Sequence, residues 1–434
     1  MAERLPFTFL AYRYLTAAAT PLSGLVLARR LRRGKEHPER LGERRGRPSL
    51  PRPQEPLVWL HAASVGELVA ALPIIERLRA SEFAVLVTSG TVTSAEVARQ
   101  QLPPGAFHQF VPLDSPLFVA RFLDYWQPEL ALFVESDLWP NLILGAAERR
   151  IPLILLNGRL SKRSFERWQR VPATIEALLG RFDLCLVRSP EDAARFGALG
   201  APRISTTGNL KLDVPPLSAD PAALAPLRLA AVGRPVFAAA STHPDEESAV
   251  IEAHHKLRAD FPKLLTVIAP RHPDRGAEVA AIATGSGLAT VQRSQGVLPD
   301  ATTEIYVFDT LGELGLVYRL ASVVFMGGSL VPHGGQNPIE PIKLGAAVVH
   351  GPHVANFADL YRALDDASRT DAVIDSDALA TRLAGLLGNT PARARLATAG
   401  RRTVDALAGA VDRSMAAIEP YLAQIRLTTW PQDA

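Results

Sequence analysis

Short, continuously apolar runs recur along this chain at intervals too long for hairpins, and that spacing constrains the fold more than any other feature. In the first half they are LVWLH, FAVLVTS, FHQFVPL, ELALFVES, PLILLNG and LCLVRS. The second half repeats the theme with PVFAAAST, LLTVIAP, EIYVFDT, ASVVFMGGS and AAVVHGP. Strands buried on both faces read as unbroken apolar runs rather than alternating ones. Most of the segments between them carry helical periodicity. Repetition of strand and helix in this manner predicts α/β architecture with parallel, doubly wound sheets. A chain of 434 residues is too long for one ordinary core, so two Rossmann-like domains are expected. The proline-rich stretch LDVPPLSADPAALAP, Leu212 to Pro226, separates them. The divisions expected are an N-terminal segment 1–52, a first domain 53–212, a linker 213–226, a second domain 227–405 and a helical tail 406–434. Two such domains facing one another would leave a central cleft lined by the carboxyl ends of strands, where sheets of this kind take their ligands.

The N-terminal segment differs from the rest. Leu5 to Ala28 is apolar except for Arg13, and residues 29–52 then carry ten Lys or Arg against three Glu. The formal net charge of +3 therefore conceals a local excess of +7. Positive charge after an apolar run is the wrong order for a cleaved signal peptide. The uncharged stretch Tyr14–Ala28 would extend only about 22 Å as a helix, short of a hydrocarbon core of about 30 Å, and Pro21 interrupts it. An apolar helix resting on or partly in a membrane, followed by a basic block drawn to anionic headgroups, fits better. The alternative is a helix packed on the protein with a solvated basic loop. Cys185 is the one cysteine, so no disulfide framework is possible within the chain. None of the ten histidines has metal-ligand spacing, and no metal site or cofactor is expected.

Polar residues gather at the carboxyl ends of the apolar runs. Glu135 and Asp137 follow one run, Asn157, Arg159, Lys162 and Arg163 the next, and Asn209 and Lys211 close the first half. Arg271 ends a run in the second half. Between Trp59 and Pro73, WLHAASVGELVAALP, Gly66 permits a tight turn and Glu67 enters the first turn of a helix. An acid there is explained by the helix dipole alone, or by chemistry. In VVFMGGSLVPHGGQNPIEP, Asn337, Pro338 and Glu340 suit a helix start. Gly327, Gly328, Gly334 and Gly335 would let backbone N–H groups approach phosphate oxygens. Neither a P-loop nor a dinucleotide fingerprint is present.

In order along the chain, HAASVGE, ESDLWPN, NGRLSKRS, TGNLKLD, STHPDEE, PRHPD, MGGSL, GGQNPIEP and HGPHVANF resemble the 3-deoxy-D-manno-oct-2-ulosonic acid (Kdo) transferases of Gram-negative bacteria. The resemblance implies a GT-B fold and inverting transfer of Kdo from CMP-Kdo to the lipid A precursor lipid IVA. It also implies a location on the cytoplasmic side of the inner membrane, no metal requirement and no nucleic-acid partner. It makes Glu67 the general base, and Glu135 and Lys211 stabilisers of the transition state. Pro270, Arg271, Leu311, Gly312, Glu313, Asn337, Pro338, Ile339 and Glu340 match CMP-binding segments. Ser64, Gly66, Asp137 and Arg159 fall to the acceptor or cleft. The family often has ETE where this chain has ESD, so Asp137 is a shortened counterpart. A sugar-nucleotide epimerase of the same two-domain build would keep the cleft but have no use for the N-terminal segment. A catalytically inactive membrane scaffold would not need the acids.

Overall fold

The computed structural model describes residues 5–135 and 137–429. These form two compact units, Met1–Val214 with Ala408–Ala434, and Pro215–Leu407.

In the first unit, seven strands make one parallel sheet. They are β1 (Leu57–His61), β2 (Ala84–Ser89), β3 (Ala106–Phe110), β4 (Leu130–Val134), β5 (Leu153–Gly158), β6 (Leu184–Val187) and β7 (Ile204–Thr206), in the order β3-β2-β1-β4-β5-β6-β7. Every residue of β1, β2, β4, β5 and β6 is buried, which is why they read as unbroken apolar runs. One face packs Trp59, Phe122, Trp126 and Phe133; the other packs Leu68, Ile74, Ile75 and Leu78 of the helix Val65–Ala80. The helix Ala410–Thr429 contributes Ile418, Leu422 and Ile425 to that second layer. The region 406–434 thus divides: its helix from Ala410 onward belongs to the core of the first unit. Asp213 ties the return in place, accepting the N–H groups of Gly409 at 2.7 Å and Val411 at 2.5 Å.

The second unit has six parallel strands, β8 (Val236–Thr242), β9 (Leu265–Pro270), β10 (Thr290–Gln292), β11 (Ile305–Val307), β12 (Val323–Met326) and β13 (Ala347–His350), in the order β10-β11-β9-β8-β12-β13. Of the segment 213–226 expected as a linker, the part from Pro221 onward is helical, Pro221–Ala230.

All the long apolar runs are strands. β7 and β10 were not visible as runs because each is a three-residue pairing whose residues are only partly buried or exposed. Both sheets are doubly wound, and each has one point where the strand order reverses: between β1 and β4 in the first, and between β8 and β12 in the second. Ligands of such sheets bind beyond the carboxyl ends of the strands that flank this point.

The apolar N-terminal segment is helical over Phe7–Ala19 and Ser23–Arg32, joined by a 3₁₀ turn at Thr20–Leu22 that accommodates Pro21. Phe9 and Leu27 are buried, whereas Phe7 (83%), Leu15 (70%) and Leu25 (72%) lie exposed with Tyr14 and Leu22. Among the described residues no helix is long and apolar enough to cross a membrane.

The basic block proves to be two things. Glu36 and Glu43 are buried and hold part of it inside the protein. Arg44 meets Glu36 at 2.8 Å and the carbonyls of Val111 and Gly90, and its guanidinium lies over Phe110. Arg40 grips Glu43 through two nitrogens at 2.7 and 2.9 Å, and Arg30 meets Glu36 at 2.6 Å. Arg29, Arg32, Arg33, Lys35 and Arg47 remain exposed.

Candidate active site

Glu67 follows β1 and Glu135 follows β4, so the two carboxylates stand on either side of the reversal point of the first sheet. Ser64 caps the helix Val65–Ala80 by accepting the Glu67 N–H. The Glu67 carboxylate turns back to accept the Ala63 N–H at 2.8 Å and the Ser64 hydroxyl at 2.9 Å. This resembles a capping box, with the carboxylate reaching one residue further back, to the Ala63 N–H. Burial, together with the nearby charge of Glu135, nevertheless holds Glu67 above the usual carboxylate range, outweighing those hydrogen bonds. Gly66 has open space where a Cβ would lie, so its glycine is not demanded by packing.

Glu135 has a left-handed backbone, φ 62°, a conformation uncommon for a residue with a Cβ. Its N–H donates to the Leu156 carbonyl at 2.8 Å, which fixes the turn against β5. Its carboxylate meets the Lys211 ammonium at 2.8 Å. Burial alone would raise the pKa of Glu135, but Lys211, Arg188 and Arg159 more than offset it and hold the group ionised. Lys211 is positioned by Asn209, whose side chain accepts the Lys211 N–H, and Asn157 accepts the N–H of Leu210 at 3.1 Å. The Asn157 Nδ2 is buried and has no hydrogen-bond partner.

Asp137 does not join the Glu135–Lys211 pair. Its Oδ2 lies 3.2 Å from His61 Nε2 and accepts the Trp139 indole N–H at 2.8 Å. Burial works against its charge, but these two contacts win and lower its pKa. His61 and Arg188 are the members that sequence reasoning passed over. Both sit at carboxyl ends of apolar runs, in WLH and LVRS, and that position was the available signal.

The second unit gathers a different set. β8 ends in a bulge, with Ser241 at φ 57°, and Gly327 lies so close beneath that a Cβ would fall 2.4 Å from the Ser241 carbonyl oxygen. Gly327, Gly328, Gly334 and Gly335 are expected to offer N–H groups to phosphate, and three of them do not. The fold uses the N–H groups of Gly327, Gly328 and Gly335 internally. The Glu246 carboxylate accepts the N–H groups of Gly328 at 2.6 Å, Ser329 at 2.9 Å, Leu330 at 2.9 Å and His243 at 2.9 Å. The Gly327 N–H goes to Ala240 and that of Gly335 to Gly328. A buried carboxylate of the protein thus occupies the anion nest.

What remains open at this end of the second sheet is basic. His243 stacks on His333 with ring centroids 4.1 Å apart, and His272 stands 6.2 Å from His243. Burial, then His333, His272, Arg271 and Arg275, push the His243 imidazole down to about 4, so it is neutral at physiological pH. Arg271 is exposed just past β9, directly after Pro270. Asn337 accepts the Ile339 N–H, and Glu340 accepts from the Asn337 amide at 3.1 Å, so capping there runs through the side-chain amide. Pro338 and Ile339 are buried against the fold. Leu311 is exposed, Gly312 turns at φ 80°, and Glu313 is held by Arg293 at 2.9 Å. Among the described residues no group of three His, Cys, Asp or Glu could hold a metal ion.

Residues 39–214 match the family model described as 3-deoxy-D-manno-octulosonic-acid transferase (kdotransferase). A 3-deoxy-D-manno-octulosonic acid transferase of Haemophilus influenzae is 34% identical over 393 residues, covering 88% of this chain and 92% of that protein. The chain belongs to the Kdo transferase family. The Bordetella pertussis Kdo transferase is likewise 34% identical, over 437 residues, covering 95% of this chain and 99% of its own length. Among solved structures, the UDP-GlcNAc 2-epimerase of Neisseria meningitidis shares the fold, with TM-score 0.55 over 85% of this chain and all of that one, at 11% identity. The chain is a glycosyltransferase with a GT-B-type pair of α/β domains, and this fold alone does not separate a Kdo transferase from an epimerase. Sequence kinship does.

Proposed function

We propose that this Kdo transferase carries Kdo from CMP-Kdo to lipid IVA in lipopolysaccharide synthesis, by a single inverting displacement in which Glu67 is the general base. The observation that carries the reading is the pairing of two unlike carboxylates at the reversal point of the first sheet. Glu67 is raised toward neutrality by burial and by Glu135, while Glu135 is kept ionised by Lys211, Arg188 and Arg159. Carboxylates pushed apart in this way take different roles. A base works best with a pKa near the working pH, so the raised Glu67 is suited to take the proton of an acceptor hydroxyl as its oxygen attacks the anomeric carbon. As the bond to CMP breaks, positive character on the sugar is offset by Glu135 and negative charge on the phosphate by cations.

With the glycine nest filled by Glu246, the donor's phosphate and sugar carboxylate are received by side chains, namely Arg271 and the imidazoles of His243, His272 and His333. Leu311–Glu313 and Asn337–Glu340 complete the CMP site. Ser64, Gly66, Asp137 and Arg159 border the acceptor. The exposed apolar stripe of Phe7, Leu15 and Leu25, followed by Arg29, Arg32 and Arg33, rests on the cytoplasmic surface of the inner membrane, where a lipid acceptor lies. Mass spectrometry of lipid IVA incubated with fresh CMP-Kdo and the protein tests the reading. A product heavier by one or more Kdo units is expected. An unchanged acceptor, with CMP still protecting the protein against thermal unfolding, overturns the acceptor assignment. Protection by UDP in place of CMP overturns the donor.

A further inference from the structure

The strands of the second sheet have another end. Opposite the donor segments, where β8 and β12 begin, a cavity of about 500 Å³ is lined by Arg228, Arg234, Arg319 and Arg393, with Ser322 and Leu387 between them. No acidic residue lines it. The helices Pro221–Ala230, Leu314–Leu320 and Ser376–Leu387 all finish here. Arginines at helix ends are expected to meet the last carbonyls, and in part they do. Arg319 donates to the Gly315 carbonyl at 2.9 Å, and Arg393 to those of Leu386 at 3.0 Å and Leu387 at 3.4 Å. Arg234 donates to the carbonyls of Lys263 at 3.0 Å, Asp300 at 2.5 Å, Leu264 at 3.4 Å and Thr303, so it is the most fully engaged of the four.

Carbonyls satisfy donors but do not cancel charge. Among the described residues, none of the four guanidinium groups forms an ion pair with a carboxylate, and Asp300 reaches Arg234 only through space. Asp300, the acid nearest Arg234, turns its carboxylate to the N–H groups of Thr302 and Thr303, both at 2.9 Å. Arginine side chains gathered round one hollow without a carboxylate in its lining suit an anion of matching geometry, since arginine forks match phosphate oxygens in pairs. Beside the hollow, Leu229 and Val232 are 76% and 72% exposed.

We propose that this arginine cavity is a second anion site, distinct from the donor site, and that it binds a phosphate group. Two sources share that chemistry. A soluble phosphate compound would use the guanidinium groups alone. An anionic phospholipid headgroup would use them together with Leu229 and Val232, which would enter the acyl region.

The full-length protein is tested with CMP present at saturation, so that the donor site is filled. Inorganic pyrophosphate is titrated calorimetrically, and flotation is measured with phosphatidylcholine vesicles containing or lacking phosphatidylglycerol. The variant R228Q/R319Q is compared with R395Q/R402Q, which removes equal charge from exposed arginines outside the cavity. Neither cavity change removes a bond between elements, since Arg319 bonds within its own helix. Binding weakened about tenfold or more in R228Q/R319Q, and unchanged in R395Q/R402Q, is expected. Loss of the pyrophosphate signal identifies a soluble ligand, and loss of phosphatidylglycerol-dependent flotation alone identifies a headgroup. Equal binding of both probes by the two variants overturns the proposal. Neither readout involves Kdo transfer, so a failed transferase assay leaves this test intact.

Discussion

Glu67 caps its helix and, on the proposed reading, also serves as the general base, and these two roles can be pulled apart. As a capping residue it accepts the Ala63 N–H at 2.8 Å and the Ser64 hydroxyl at 2.9 Å. As a base it must be ionised and must lose that ability when neutral. Glu67→Gln keeps a carbonyl oxygen for the Ala63 N–H and an amide that can donate to Ser64, so its cost in stability is expected to stay under about 1 kcal/mol. Glu67→Ala removes both contacts and is expected to cost about 1–2 kcal/mol. On the chemical step the order disappears: either change removes the base, for a loss of about 10²–10⁴ in rate, equal to about 3–5 kcal/mol of barrier. Thermal denaturation and single-turnover mass spectrometry of the same preparations supply the two scales. pH supplies a third. Since only ionised Glu67 accepts a proton, the wild-type rate falls as pH drops through its pKa. Burial and Glu135 place that midpoint above the ordinary carboxylate value of about 4.3. Glu135→Gln removes the like charge and is expected to move the midpoint down. The reasoning is refuted if Glu67→Gln retains a tenth or more of the rate while Glu67→Ala loses activity only in step with its stability.

Lys211→Met leaves Glu135 with Arg188 and Arg159 as its compensating charges, and is expected to cost about 1–3 kcal/mol at pH 7. In the wild type the depressed pKa of Glu135 contributes stability above about pH 4.3, lost as pH falls through the folded value. The gap between variant and wild type should therefore narrow as pH falls below the ordinary carboxylate range, as followed by chemical denaturation. Glu246→Gln gives up a buried charge that accepts four backbone N–H groups. A loss of about 3 kcal/mol is expected, with weakened CMP protection in the same thermal melts. Leu15→Glu with Leu25→Glu changes two exposed side chains. The melting temperature should hold while partition onto phosphatidylglycerol vesicles drops about tenfold or more.

Much of the architecture was legible because burial writes itself into composition. β1, β4 and β6 contain almost nothing but apolar residues, and a sheet covered on both faces has no other way to be encoded. Glu135 and Lys211 were legible as residues at strand ends, although their 2.8 Å pairing spans 76 positions. What escaped was long-range compensation. Gly328 reads as a residue shaped for a ligand, and its actual partner, Glu246, lies 82 positions earlier in a helical first turn where an acid needs no explanation. Similarly, Arg40 and Arg44 look like members of one solvated basic run, since the two acids that take them inside, Glu36 and Glu43, are a minority in the local count.

The return of the chain at Asp213 has a bearing on how the protein is made. The first unit is opened by residues up to Val214, but the layer that Leu68, Ile74, Ile75 and Leu78 begin on one face of its sheet is not completed until Ile418, Leu422 and Ile425 arrive. During synthesis it is begun first and finished last, while the second unit, being continuous from Pro215 to Leu407, is complete in between. A nascent chain therefore carries a partly covered apolar face while Pro215–Leu407 is made, with Glu67 and Glu135 already synthesised. Loss of the last two dozen residues would strike this first-made unit. A tail that looks dispensable is the closing piece of the half that bears Glu67.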